Sequence, residues 1–296
     1  MRKNTTQKFN WQKLPWNTHK WNTKRKMTLF GGITIVLILF ISTIWIFDIY
    51  AKELNSALDD ISKDKSLKIA FESFYNAGYR PSLLGLFWKI TSTFTWISNL
   101  ALGISLILYA IYPKNWIAQR AIFLTNVYIT ITFLVFWTLI FPTRISQKTF
   151  PWQKFIVDAL THLINPIIGF VFLIINRKNI KITRLTIILS NIVIICYFVF
   201  ALIVFFIGEQ VVQKAQEILG QNIREKNVHH AFNNTIYKFL NFRKPLFYSG
   251  NSLVVKISLN IVVFILASSL TPFIGYIWYK TLKLKKDMVT KPYMVE

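Results

Sequence analysis

Residues 155–175 read FIVDALTHLINPIIGFVFLII, an apolar run that contains an aspartate, Asp158, and a histidine, His162. A helix of about 20 residues, rising 1.5 Å per residue, crosses the roughly 30 Å hydrocarbon core of a bilayer. The stretch therefore has the length of a membrane-spanning helix. Ionisable residues are rare in such helices, and they mark candidate functional sites.

The rest of the chain has the composition of a membrane protein. It is 53% hydrophobic and 16% charged, whereas soluble domains carry about 25% charged residues. An all-α fold is therefore predicted, a polytopic membrane protein built as a six-transmembrane-helix bundle. The predicted helices are 28–47, 92–112, 121–142, 155–175, 185–207 and 256–279.

The basic residues predict how the bundle is oriented. The leader 1–27 contains lysine and arginine but no acidic residue, and the tail 280–296 is also basic. Short segments of this kind stay in the cytoplasm, which predicts an N-in/C-in topology. The first apolar run is too long for a cleaved signal peptide, and we expect it to be a retained anchor.

Two long segments are predicted to lie outside. The outer loop 49–84 has mixed charge, as an external segment should. The loop 208–255 is basic, but long loops translocate largely regardless of charge. Within it, the stretches 209–226 and 228–241 have the spacing of amphipathic helices. We expect an external, partly helical loop that lies on the outer leaflet or covers the mouth of the bundle.

Partners follow from where the charge lies. The net charge is +23, but the basic residues cluster at membrane edges and in a leader that also contains Trp11, Trp16 and Trp21. This pattern predicts membrane lipid as partner, with anionic lipid at the leader, and no nucleic acid. Cys/His spacings and phosphate-binding glycine loops are missing, so we expect no metal and no cofactor. The frequent use of lysine, asparagine and isoleucine is typical of an A+T-rich bacterial genome. For a membrane protein this predicts the plasma membrane of a bacterium. The oligomeric state does not follow from the sequence.

Polar residues recur on one face of the second and fourth predicted helices. Asp158 and His162 are four residues apart and share a helical face, so the carboxylate can fix the tautomer of the imidazole. Thr95, Ser98 and Asn99 form a polar stripe with helical spacing in the second helix. An alternative is that Asp158 and His162 only satisfy each other, or that Asp158 lies at the outer interface.

The topology predicts that these two groups lie at the same depth. The second and fourth helices both run inward, and Thr95 and His162 each lie about two turns, roughly 10 Å, below the expected outer ends. Equal depth on parallel helices permits contact. Pro166 lacks an N–H, and we expect it to free a carbonyl near Thr161 or His162.

These residues resemble a known family. The stretch FTWISNL at 94–100, with His162 and Pro166, is similar to the six-helix androgen-induced and androgen-dependent membrane hydrolases and their bacterial six-helix relatives. The resemblance covers most of the six-helix body and excludes the leader. It implies that Thr95 is the nucleophile and His162 the base in hydrolysis of fatty acid esters of hydroxy fatty acids. The stretch YKFLN at 237–241 resembles a Tyr-Pro element of the bacterial relatives, with Lys238 in place of the proline.

The chemistry of such a site predicts further roles. A threonine hydroxyl needs a neighbouring base, and Asp158 would orient that base. The oxyanion needs donors, for which Ser98, Asn99 and Asn165 are candidates. Two alternatives stay open: a transporter or ligand-binding protein that uses the polar site of Asp158 and His162, and a non-enzymatic membrane scaffold.

Overall fold

The computed structural model describes residues 21–79, 82–145, 152–219, 229, 232–248 and 250–286. Six helices in this part of the chain are long and apolar enough to span a membrane. The prediction of an all-α, six-helix membrane bundle is confirmed. The N-in/C-in orientation stays a prediction, and most of the leader and tail lie outside the described residues. The spanning helices are Thr23–Lys63, Phe94–Ile111, Trp116–Thr143, Trp152–Asn179, Arg184–Ile218 and Leu253–Thr281.

Several spans are built from more than one helical segment. Two of them contain π-helical turns, at Phe136–Ile140 and Leu160–Ile164. Two short parallel strands, β1 (Lys181–Ile182) and β2 (Lys285–Lys286), pair beyond the helix ends. The α-helices are α1 (Thr23–Lys63), α2 (Lys65–Asn76), α3 (Leu83–Thr91), α4 (Phe94–Ile111), α5 (Trp116–Val135), α6 (Phe141–Ile145), α7 (Trp152–Ala159), α8 (Asn165–Asn176), α9 (Arg184–Ile188), α10 (Asn191–Leu219) and α11 (Leu253–Thr281).

Helices α1 and α4 pack closely against each other, because glycines allow their backbones to approach. A Cβ placed on Gly32 would lie 2.8 Å from the carbonyl oxygen of Gly103. A Cβ on Gly103 would lie 2.7 Å from the side chain of Val36. Small residues are the usual means of close helix packing in membranes, where no hydrophobic force draws helices together.

One end of the bundle is closed by polar contacts, and we call it the closed end. The guanidinium of Arg25 donates to the carbonyl oxygens of Ala110 and Ile111 at the end of α4. Asn176 Nδ2 donates to Thr28 Oγ1 at 3.0 Å. The strands β1 and β2 lie at this end. Both described chain ends therefore lie together, as an even number of spans requires.

The segment 49–84 is mostly helical in the structure. α1 continues to Lys63, and the side chain of Asp64 then caps α2 by accepting from the backbone N–H of Ser66 at 2.8 Å. α2 and α3 have no buried residues. The hydrogen bonds that the Asp64 carboxylate accepts from Ser66 and Leu67 hold its pKa below the usual value.

The long loop before the last span is only partly helical. α10 continues to Leu219, so the first part of the stretch 209–226 is helical, and 220–228 lies outside the described residues. The helix predicted for 228–241 is wrong for residues 232–241, which form turns and the 3-10 helix Lys238–Leu240. Asn233 adopts φ 56°, a left-handed conformation that interrupts a helix.

Candidate functional site

The start of α4 differs from the prediction. The helix begins at Phe94 and not at 92, because Thr93 caps it and accepts from Trp96 N at 3.4 Å. Thr95 is therefore in the first turn, not two turns down. First-turn N–H groups have no partner within the helix, and the helix dipole places partial positive charge there. The hydroxyl of Thr95 thus lies where negative charge is stabilised.

The fourth span widens around His162. The N–H of Asn165 donates to Leu160 O, five residues back, so Thr161 O is left without its usual helical donor. Pro166 cannot donate to His162 O. Side chains from other helices take both carbonyls: Asn99 Nδ2 donates to Thr161 O at 3.2 Å, and Trp137 Nε1 donates to His162 O at 3.2 Å. The expectation that Pro166 frees a carbonyl here is confirmed.

A second π-helical turn packs against the first. The ring of Phe136, in the turn Phe136–Ile140, stacks on the His162 imidazole with centroids 4.1 Å apart and an interplanar angle of 9°. Both residues are almost fully buried, Phe136 at 1% and His162 at 6% exposure. Single π-helical turns are frequent at functional sites, and here one carries His162 and the other carries the ring that stacks on it.

Thr95 and His162 lie on the wall of the same cavity. A cavity of about 580 Å³ is lined by both residues and by Asp158. An apolar pocket of about 120 Å³ adjoins it, and this pocket is lined by Thr95 and His162 as well. Three further residues, Ile140, Tyr237 and Phe239, also line both spaces. The threonine and the histidine therefore lie at the junction of a polar space with an apolar one.

Ser98, Asn99 and Asn165 lie between the helices. Ser98 Oγ donates to Thr95 O at 3.1 Å, and Asn99 Nδ2 donates to the same oxygen at 2.8 Å. Asn165 Nδ2 donates to Asn99 Oδ1 at 2.8 Å. These three residues are not among the described residues that line the two spaces. The hydrogen bond of Ser98 stays within α4, while those of Asn99 and Asn165 connect α4 to the π-helical turn and to α8. The role of the three residues as oxyanion donors stays a prediction.

Tyr237 is the side chain that contacts the hydroxyl of Thr95. Its hydroxyl lies 3.3 Å from Thr95 Oγ1 and accepts from Thr95 N, also at 3.3 Å. Tyr197 donates to Ser92 O at 3.1 Å and accepts from Phe94 N at 2.9 Å beside it. Tyr237 is partly exposed as a residue, but its hydroxyl is enclosed, and this burial raises its pKa. It stays protonated at neutral pH and can donate a hydrogen bond.

Residues 229 and 232–248 form a cover segment over this end of the bundle, which we call the site end. Asn234 holds the segment to α10, because its Nδ2 donates to Phe205 O at 3.0 Å. Arg243 binds Glu209 through two hydrogen bonds, one of them 3.0 Å from Nη2 to Oε2. That carboxylate raises the pKa of Arg243. The cover segment is thus fixed to a spanning helix by a buried hydrogen bond from Asn234 and by a partly exposed ion pair of Arg243.

Comparisons with known proteins give no match: no family model fits the chain, and no curated protein and no solved structure is similar to it. The resemblance at Thr95, His162 and Pro166 therefore rests on the residues themselves. It stays a prediction.

Sequence reasoning did not find the partners of Thr95 and His162. Tyr237 is separated from Thr95 by 142 positions, and no periodic pattern connects them. Phe136 looked like one more apolar residue of a spanning run. The signal for Tyr237 was the stretch YKFLN at 237–241, and the signal for the start of α4 was the capping residue Thr93.

Proposed function

We propose that the protein is an intramembrane hydrolase of lipid esters, with Thr95 as nucleophile and His162 as general base. The observation that carries the proposal is the shared position of both residues at the junction of the polar cavity and the apolar pocket. A lipid ester has a polar carbonyl next to an apolar chain. A site at such a junction can bind the chain on one side and attack the carbonyl on the other.

The reaction would proceed in two steps. His162 takes the proton of Thr95 Oγ as this oxygen attacks the ester carbonyl carbon. The tetrahedral intermediate then releases the alcohol, which takes the proton back from His162, and the acyl group stays on Thr95. Water then attacks the acyl carbon with His162 again as base. The bond between Thr95 Oγ1 and the acyl carbon breaks, Thr95 Oγ1 takes the proton from His162, and a fatty acid leaves. Asp158, on the same cavity wall, would orient the imidazole and stabilise its charged form.

Two features support stabilisation of the oxyanion. The Tyr237 hydroxyl lies 3.3 Å from Thr95 Oγ1, beside the place where the intermediate would form, and it would donate its proton to the oxyanion. The N-terminal dipole of α4 adds partial positive charge at Thr95. Donors that are fixed before the reaction contribute most to such catalysis, because they need no rearrangement. Tyr237 takes the role predicted for Ser98, Asn99 and Asn165.

The test is hydrolysis by the purified full-length protein in liposomes, against fatty esters, acylated hydroxy fatty acids and lysolipids. Thr95→Ala and His162→Ala should each lower the rate about 10³-fold or more, and the double variant should lower it no further, because residues of one catalytic unit are not additive. Thr95→Ser should keep measurable activity. Thr125→Ala is the matched control, since this buried hydroxyl bonds Ser105 Oγ at 2.8 Å in the bundle.

The outcomes are distinct. Activity that is lost in Thr95→Ala and kept in Thr125→Ala supports the proposal. The hydrolase proposal fails if the wild-type protein hydrolyses no member of the panel. It also fails if Thr95→Ala keeps full activity.

Transport through the bundle is the second candidate, favoured by one observation. Asn99, Asn126 and Asn165 are fully buried and continue the polar site toward the middle of the bundle. However, the amides of Asn99 and Asn165 bond to carbonyls and to each other, which connects helices. Proton or solute flux into proteoliposomes that depends on Asp158 and His162, without ester hydrolysis, would favour transport.

A further inference from the structure

The polar cavity contains an excess of positive charge. The described residues that line it include one carboxylate, Asp158, and three lysines, Lys89, Lys154 and Lys238. Lys154 is neutralised by a residue next to the cavity, since its Nζ lies 2.7 Å from Glu53 Oε1. The other two lysines differ from it in their surroundings.

Lys89 and Lys238 have no carboxylate within ion-pair distance among the residues that the structure describes. Lys89 Nζ donates to Asn233 Oδ1 at 2.7 Å, a neutral partner. Burial, together with the charge of Lys238, lowers the pKa of Lys89 to about 8. Lys89 is partly buried and Lys238 is exposed, so burial and the neighbouring charge both act against the charged form of Lys89. An anion bound to both side chains would offset this cost.

The loop that carries Asn233 has a defined backbone conformation. Asn233 is held at φ 56°, and the next residue, Asn234, fixes the backbone by donating from its N–H to His229 O at 2.8 Å. Asparagine adopts this left-handed conformation more readily than most residues. The loop therefore presents the Asn233 side chain to Lys89 in a defined position.

We propose that Lys89 and Lys238 bind the phosphomonoester group of a single-chain acyl phospholipid whose acyl ester bond lies at Thr95. This inference rests on the proposed hydrolase function. A phosphomonoester carries close to two negative charges near neutral pH, because its second pKa is about 6. It neutralises both lysines, whereas a carboxylate neutralises one. The apolar pocket beyond Thr95 and His162 would take part of the acyl chain.

Binding is tested with a phosphomonoester lipid that cannot be hydrolysed. The probe is an ether-linked lysophosphatidate, titrated calorimetrically into the purified full-length Thr95→Ala protein, so that no turnover occurs. The comparison ligands are the neutral alkyl glycerol ether and an alkyl carboxylate of the same chain length. We expect the phosphate ligand to bind roughly tenfold or more tightly than either, as charge-assisted hydrogen bonds predict.

Three lysine variants provide the matched comparison. Lys89→Gln and Lys238→Gln should each weaken the phosphate ligand roughly tenfold and leave the neutral ether unchanged. Lys154→Gln should change binding less than about twofold, because Glu53 already neutralises that lysine. Lys89→Arg should keep the binding, which separates loss of charge from loss of folding.

A pH titration adds an independent readout. Lys89 is charged below its pKa of about 8, so binding should weaken as the pH rises through that value. Arginine stays charged throughout, and Lys89→Arg should remove this pH dependence.

Several outcomes would overturn the assignment. Equal affinity for the neutral ether, or unchanged affinity in both glutamine variants, removes the anion site. If the alkyl carboxylate binds as tightly as the phosphate lipid, the site does not select a phosphate. Inorganic phosphate that binds as tightly as the lipid shows a free anion as the ligand. If the lipid binds as expected and hydrolysis is not found, the binding site stands and the hydrolase proposal fails alone.

Discussion

The two ends of the bundle differ in what their buried polar side chains contact. At the closed end, Asn176 bonds Thr28, and Lys181 N donates to Gln119 Oε1 at 3.0 Å. Each of these side chains bonds a group on another segment of the chain. At the site end, Thr95 also contacts a distant segment through Tyr237, but Thr95 and His162 line a cavity as well. Polar groups that bond each other hold helices together, whereas polar groups on a cavity wall can meet a ligand.

The sequence does not make this difference visible. Thr125 and Thr95 are both buried threonines in apolar helices, at 7% and 4% exposure. Only the position of the neighbouring elements decides which hydroxyl meets open space. Here the deciding elements are the cap at the start of α4, two π-helical turns and the cover segment. The following variants test whether the two ends differ in function as they do in geometry.

Among these variants, which leave Thr95 and His162 in place, the largest effect is expected from Tyr237→Phe. Removing its hydroxyl takes away the donor next to Thr95 Oγ1, and loss of one oxyanion donor lowers kcat by about 10²- to 10³-fold. KM should change little. Tyr128→Phe is the control, because Tyr128 OH donates to Ser190 O at 3.0 Å and the residue is not among those that line either space. It should cost about 1 kcal/mol of stability and leave the rate unchanged. Full activity in Tyr237→Phe would contradict the oxyanion role.

A smaller effect is expected from Gly208→Ala. A Cβ at this position of α10 would lie 1.9 Å from Asn234 Oδ1, so the cover segment must move. Overpacking of this kind costs about 1–3 kcal/mol. Protease should cut the cover segment faster than in the wild-type protein. At Gly275, in contrast, the nearest atom would be 3.4 Å away, and Gly275→Ala should be neutral or stabilising. Equal protection of the cover segment in both variants would show that Asn234 does not hold it.

Asp158→Asn should lower the rate roughly tenfold, short of the 10²- to 10⁴-fold that loss of a general base removes. The amide keeps the size of the carboxylate but not its charge, so the imidazolium loses stabilisation. Asp48→Asn is the control, since Asp48 lies in an exposed pair with Lys52 at 2.6 Å. An unchanged rate in Asp158→Asn would show that the carboxylate has no part in orienting His162.

Much of the scaffold follows from composition. All six predicted spans overlap a spanning helix, because an apolar run of about 20 residues has no other stable state in lipid. The presence of Thr95 and His162 on one cavity agrees with their expected equal depth, although Thr95 lies in the first turn of its helix. The expected position two turns into the helix is wrong for Thr95, which is the second residue of a helix that begins at Phe94.

The remaining features depend on contacts between distant segments. The π-helical turn Leu160–Ile164 is stabilised by Asn99 and Trp137 from other helices. The periodicity of a single helix cannot predict such contacts. Tyr237 reaches Thr95 from a loop whose path is set by Asn234 and Arg243. Loop paths of this kind are fixed by tertiary contacts, so helical spacing in 228–241 predicted a helix for residues 232–241, which form turns and a 3-10 helix.

The smallest expected effect is the response of the cover segment to pH. The neutral ring of His229 stacks on Phe205, and its Nδ1 lies 3.3 Å from Asn234 Nδ2, an amide nitrogen that donates. Burial lowers the pKa of His229, while Glu209 favours its charged form and Arg243 and Lys244 oppose it. Protonation would place a second donor against Asn234.

The lowered pKa of His229 determines how the stability of the cover segment changes with pH. The detached segment has a histidine pKa of about 6.5, so it takes up a proton more readily than the attached one. The stabilisation is complete above that value and is lost as the pH falls through the lowered pKa of the attached state. Hydrogen exchange of residues 232–248, corrected for its intrinsic pH dependence, should therefore be less protected at about pH 5.5 than at about pH 7.5. His229→Gln cannot titrate and should remove the difference, while amides near β1 at the closed end should show none in either protein. The same pH dependence in His229→Gln would assign the response to another group.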